Sequence, residues 1–164
     1  MRPIVFMAHG EIISPAKGLT MGGVLITLRK ANAALACLPE NIRIPRPQIV
    51  CGKDAECFHT AELLAAQYLS GYSIESALKE EATDETIARF TEQLRQGEET
   101  LIVISHMTII GKILDHLALA KGERFPEPLR DLAPDEVAAV DLDAAPFVSS
   151  LVFAKGTTGV NPKL

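Results

Sequence analysis

The chain has no stretch approaching the roughly 18 uncharged apolar residues that a membrane-crossing helix needs, so its 164 residues hold no candidate span. Positive charge is also in short supply: 16 Lys and Arg face 21 Asp and Glu, a formal net charge of −5, with no long basic run. A surface built to hold nucleic acid or an anionic membrane depends on clustered cations, and this sequence argues against one. Cysteine is scarce and odd in number, and Cys37, Cys51 and Cys57 fit no metal-ligand spacing. Reduced thiols in a cytoplasm are the expectation. The opening MRPIVFMAHGE passes from one arginine into a short apolar run ending in His and Glu, which is not the pattern of an export signal. What remains is close to a globular average, 48% hydrophobic and 23% charged. At roughly 150 residues per domain, one domain over 1–164 is expected, with a partner that is small or is another protein.

Residues 3–8, PIVFMA, form a short apolar run with β-branched members and predict a buried strand ending at His9 and Gly10. From Thr20 to about Cys37, Val24, Leu25, Leu28, Ala31 and Leu35 recur at helical spacing, with Pro39 close behind. QIVC at 48–51 is strand-like, Glu56 to Leu69 is helical, and Gly71 is the expected stop. A short strand near 72–76 precedes a helix over 82–97, capped by Thr83 or Asp84, with Ile87, Phe90 and Leu94 on one face and Gly97 as its end. TLIVIS at 100–105 is the clearest strand, followed by His106 and a helix from MTIIGKILDHLALA. A proline-bearing loop over 121–135 leads to two closing strands in EVAAVDL and SSLVFA. Alternating strands and helices predict a three-layer α/β sandwich with a mainly parallel central sheet.

Ligands of such sheets bind at the carboxyl ends of strands. That rule selects His9, Gly10 and Glu11, then Gly52 to Glu56, then Ser105 and His106. Two histidines at equivalent strand ends suit one pocket, in which a neutral imidazole attacks phosphorus and the second donates to the phosphoryl oxygens. From pattern alone, either histidine reads equally as a helix cap or a satisfied polar position.

The same residues carry a resemblance. VFMAHGE at 5–11 resembles the Leu-Val-Arg-His-Gly-Glu signature of the histidine phosphatase superfamily, and LTMGG at 19–23 its Leu-Thr-x-x-Gly. HTAELLA at 59–65 is similar to its Gln-Thr-Ala helix start, and LIVISHMTIIGKIL at 101–114 to its second signature, Val-Val-Ser-His-Gly-x-x-Ile. Order and spacing agree from the first strand to the helix after His106, and the short length is most similar to SixA-type phosphohistidine phosphatases. The resemblance implies a phosphoglycerate-mutase-like fold, His9 as the phosphorylated nucleophile, His106 opposite it, and no cofactor. It also implies two phosphate-binding arginines, at positions that here hold Ala8 and Glu56. Neither supplies a guanidinium fork, and an ionised Glu56 repels a phosphate dianion. Gly10, Lys17, Lys53, Glu56 and His59 are the candidate substrate-binding residues, the two lysines as replacement cations and His59 in the place of the family's Gln. Glu11, Glu80 and Glu81 read as solvated carboxylates rather than proton donors.

Three functions follow. The first is a weak or altered phosphatase acting through His9 on a small phosphorylated ligand or phosphoprotein. The second is a catalytically inactive binding or regulatory module. The third is a metal site built from His9, His106, His59 and Glu56.

Overall fold

The computed structural model describes residues 1–10, 12–14, 18–37, 47–133 and 135–156. Six strands form one sheet: β1 (Pro3–Ala8), β4 (Gln48–Cys51), β5 (Tyr72–Ile74), β6 (Leu101–Ser105), β7 (Glu136–Asp141) and β8 (Val152–Lys155), in the order β5-β4-β6-β1-β7-β8. The β5, β4, β6 and β1 strands run parallel, whereas β7 is antiparallel to both its neighbours. A two-stranded antiparallel ribbon, β2 (Ile12–Ser14) with β3 (Gly18–Leu19), follows the first strand. No pattern in the sequence predicted it, because strands of three and two residues are too short to show a period.

Helices cover both faces. Every residue of β1 is buried, and its side chains alternate between two cores as the two-residue period of a strand requires. Ile4, Phe6 and Ala8 join Val103 of β6 and Ala138 of β7 in a cluster with Ile87, Phe90 and Leu94 of α3 (Asp84–Gln96) and Ile109, Ile113 and Leu117 of α4 (Met107–Ala120). Val5 and Met7 join Ile102, Ile104, Val137 and Ala139 in a second cluster with Cys57, Ala61 and Leu64 of α2 (Ala55–Tyr68) and Ala33 and Ala34 of α1 (Met21–Ala36). The three layers are therefore α1 and α2, the sheet, and α3 and α4.

Helix α1 forms where the spacing predicted it, and its buried face combines Ala31 of that repeat with Thr27, Lys30, Ala33 and Ala34, while Leu25 is 51% exposed. Small residues let this helix approach the sheet closely; Thr27 donates to Gly23 O within the helix and Lys30 to Ala8 O at the end of β1. One local expectation needs correction. The end of α2 does not wait for Gly71, since Leu69 itself adopts the left-handed conformation (φ 51°). Ser70 N then donates to Ala65 O at 2.9 Å, closing the helix. The predicted Thr83 cap does form, with its hydroxyl accepting from Thr86 N at 3.3 Å, and Gly97 ends α3 as expected.

Candidate active site

Because β1 and β6 are adjacent and parallel, with Ala8 opposite Ser105, the residues that follow them emerge side by side. His9 and His106 face each other with ring centroids 4.8 Å apart at 67°. His9 N donates to Ser105 O at 3.2 Å, which fixes the turn out of β1 against the end of β6. The His9 ring is oriented by its Nδ1, 2.9 Å from Gly10 O. A carbonyl only accepts, so in the neutral ring Nδ1 carries the proton and Nε2 carries the lone pair.

Gly10 is held from below. Its N–H donates to Thr60 Oγ1 of α2 at 2.9 Å, and that buried hydroxyl donates in turn to Glu56 O at 2.7 Å. A Cβ at Gly10 would lie 2.8 Å from Thr27 Oγ1 and 3.2 Å from Gly23 O, so α1 could not seat this closely against any other residue. Lys30 lies beneath the same turn. It is fully buried, donating from Nζ to Ala8 O at 2.6 Å and His9 O at 3.4 Å. Burial pushes its pKa down to about 8, against the pull of Asp135 in the other direction.

His106 N-caps α4 but spends its side chain elsewhere: Nε2 lies 3.0 Å from Asp54 Oδ2. Asp54 precedes α2 in the same way, and the same oxygen accepts from Glu80 N at 3.0 Å. Partial desolvation works to raise the pKa of Asp54, yet the hydrogen bonds from Glu80 N and His106, with the charge of Lys53, hold it below the ordinary carboxylate value. The Glu80 segment is anchored by Leu78 O, which accepts from Ser105 Oγ at 2.7 Å. A Cβ on Gly52 would run into that carbonyl.

A cavity of about 550 Å³ opens over this arrangement, lined by Ala8, His9, Gly10, Ile26, Lys30, Glu80, His106, Met107, Thr108 and Leu132. Of the predicted site residues, His9, His106 and Gly10 come together here. Lys53 is exposed, and neither it, Glu56 nor His59 is part of the lining. His59 instead packs its ring 4.2 Å from Phe58, with Nδ1 buried and lacking a protein partner among the described residues. Lys17 and Glu11 lie outside the described residues. Glu80, expected to be a solvated carboxylate, is exposed and lines the cavity. Asp54 lay inside the selected 52–56 segment, and its acid cap position was the available signal. Lys30 had none, since a lysine inside a helical repeat reads as a solvated residue. The metal reading is overturned: among the described residues no three His, Cys, Asp or Glu side chains come together as a ligand set. No described helix is long and apolar enough to cross a membrane.

No protein-family model and no curated protein sequence matches the chain. Solved structures do. A protein assigned as phosphohistidine phosphatase SixA from Nakamurella multipartitia superposes with a TM-score of 0.65 at 18% identity, covering 96% of this chain and 97% of that one. The protein histidine phosphatase SixA complexed with tungstate gives 0.61 at 17% identity, covering 94% and 96%. A mycobacterial glucosyl-3-phosphoglycerate phosphatase in complex with VO3 gives 0.63 at 10% identity, covering 86% and 93%. The chain has the α/β fold of the SixA proteins and of the glucosyl-3-phosphoglycerate phosphatase.

Proposed function

We propose that the chain is a phosphatase with altered charge-binding groups, transferring a phosphoryl group from a small phosphorylated ligand or a phosphoprotein to His9. The observation that carries this reading is the opposed pair of rings, with His9 Nδ1 committed to Gly10 O so that Nε2 is left to attack. In the first step an N–P bond forms at Nε2 as the bond to the leaving group breaks. The leaving group takes a proton from solvent, and Glu80 lines the same cavity as an exposed carboxylate. Water then hydrolyses the phosphohistidine and restores the ring. His106, held by Asp54, faces the transferred group.

The charge that the resemblance assigns to two arginines has one substitute in the cavity, Lys30, which grips the main chain of Ala8 and His9. Loss of a donor to developing charge typically costs about 10²–10³ in rate, so turnover is expected to be slow. One observation favours the second reading, a binding module without turnover: the carboxylate of Glu80 lines the cavity and that of Asp54 is bonded to His106, one of its lining residues. Phosphate release from phosphohistidine and from an aryl phosphate separates the two. Turnover that disappears in His9→Ala supports the phosphatase. A silent wild type that gains activity in the Ala8→Arg, Glu56→Arg double variant supports the binding module.

A further inference from the structure

Gly111 occupies the middle of α4, where glycine costs a helix roughly 1 kcal/mol relative to alanine. Neither the backbone nor packing calls for it. Its φ is not left-handed, and a Cβ built there meets no atom within 4 Å. The open space beside it belongs to a second cavity of about 310 Å³, between α4 and the 128–132 segment. Met107, Thr108 and Leu132 line both this cavity and the one over His9, so the second cavity is a trough that adjoins the first along a shared wall.

The trough has the chemistry of an apolar subsite. Leu132 is buried, and the ring of Phe153 forms part of the lining. Both cations on the rim are already paired: Lys112 Nζ is 3.0 Å from Asp84, and Arg130 makes a fork to Glu136 at 2.6 and 2.7 Å while lying over the Phe153 ring. The other charged lining residues are Asp115 and Asp131, which disfavour a second anionic group.

We infer that this trough binds the uncharged, apolar body of an organic phosphate monoester whose phosphoryl group sits at His9, and that Gly111 keeps the room for it. The inference rests on the phosphatase reading for the phosphoryl end only. A cavity with one buried cation holds phosphate weakly, and contacts to the remote part of a substrate make up such a deficit. At about 310 Å³ the trough falls at the small end of ligand pockets, the size of a fused aromatic ring or a short alkyl chain.

The test compares 2-naphthyl phosphate with acetyl phosphate in wild type, Gly111→Ala and Gly111→Leu. Gly111→Leu should lower kcat/KM for the naphthyl ester about tenfold or more, the discrimination a filled apolar pocket imposes, while acetyl phosphate changes less than about twofold. Gly111→Ala should raise the melting temperature with little effect on either substrate, showing that the helix accepts a side chain there. Equal losses on both substrates, or none, would overturn the subsite. Binding of 2-naphthol, followed by chemical-shift changes at Met107 and Leu132, keeps the test independent of turnover. Naphthol bound by wild type and lost in Gly111→Leu, without hydrolysis of any ester, upholds the trough and removes the phosphatase reading. Naphthol that fails to bind, or binds both proteins alike, removes the trough.

Discussion

At Asp54 one carboxylate oxygen takes two hydrogen bonds, from His106 Nε2 and Glu80 N, each 3.0 Å long. It therefore ties the second histidine to the segment that carries Glu80. Asparagine can present an oxygen to both donors without the charge, and alanine cannot. A hydrogen bond to a charged group is worth about 1.5–3 kcal/mol, or roughly 10–100-fold. Asp54→Ala should lower kcat by about that factor with KM little changed, and Asp54→Asn should recover part of it; a loss confined to KM would refute the positioning role. Stability follows the same carboxylate. With its pKa held below the ordinary 3.8, its contribution is complete above that value and is lost as acid passes through the depressed one. The advantage of wild type over Asp54→Asn in urea titrations should thus shrink below pH 4.

Lys30 is destabilised in its charged form where Asp54 is stabilised, yet its contribution to stability runs with pH in the same direction. Its pKa falls from 10.5 to about 8 because burial disfavours the ammonium, with Asp135 opposing. Between those values the unfolded chain binds the extra proton, so stability gains on this group's account as pH rises, by about 2 kcal/mol from pH 8 to 10. If the ammonium is the cavity's replacement cation, activity should move the other way, with His9, His106 and Glu80 as the other titratable groups lining the same cavity. Wild type should lose kcat/KM above about pH 8 while gaining stability relative to Lys30→Met. A Lys30→Met variant that keeps wild-type kcat/KM would remove its electrostatic role. The two histidines could be read from the sequence because they directly follow apolar strands. Lys30 could not, because its partner is a carbonyl 22 residues away in sequence, at the end of another element.

Among the elements, those with long periods were the readable ones. TLIVIS and the Ile87, Phe90, Leu94 face of α3 entered the core as their spacing required. For α1 the apolar repeat showed the helix but not the whole of its buried face, which adds Thr27, Lys30, Ala33 and Ala34 to Ala31. The reason is the turn after β1, which must be supported by two helices at once. Thr27 of α1 crowds Gly10 from one side, and Thr60 of α2 accepts its N–H from the other. Thr60→Val keeps the shape but leaves the Gly10 N–H unpaired in a buried place, a cost of about 1–3 kcal/mol. Its melting temperature should fall accordingly, and activity should fall further than stability explains, because His9 shares the turn. A variant that loses stability alone would show that the turn tolerates movement without affecting the nucleophile. By comparison, Thr83→Ala removes only an exposed cap and should cost about 1 kcal/mol with no change in activity.

For the whole molecule, charge decides how a ligand arrives. The chain carries a net −5, the Glu80 carboxylate lines the site, and that of Asp54 sits behind His106. A phosphate dianion approaching this surface meets repulsion at distance, and Lys30, buried beneath His9, is too well covered to attract it from solvent. Salt screens the long-range part first: the Debye length drops from about 30 Å at 0.01 M to about 8 Å at 0.15 M. The buried cation and the contacts within the cavity are screened much less. Raising ionic strength across that range should therefore increase kcat/KM for a small dianionic ester by about two- to fivefold while kcat stays level, the reverse of what a site steering its substrate with exposed arginines would do. The dependence of both parameters on sodium chloride concentration measures this directly. If kcat/KM falls with salt, positive charge outside Lys30 must face the substrate, and the account of the site as poor in cations is wrong. If it rises, the apolar trough beside Gly111 gains weight as the main source of affinity, because electrostatics would then oppose binding at every distance except the last few ångströms.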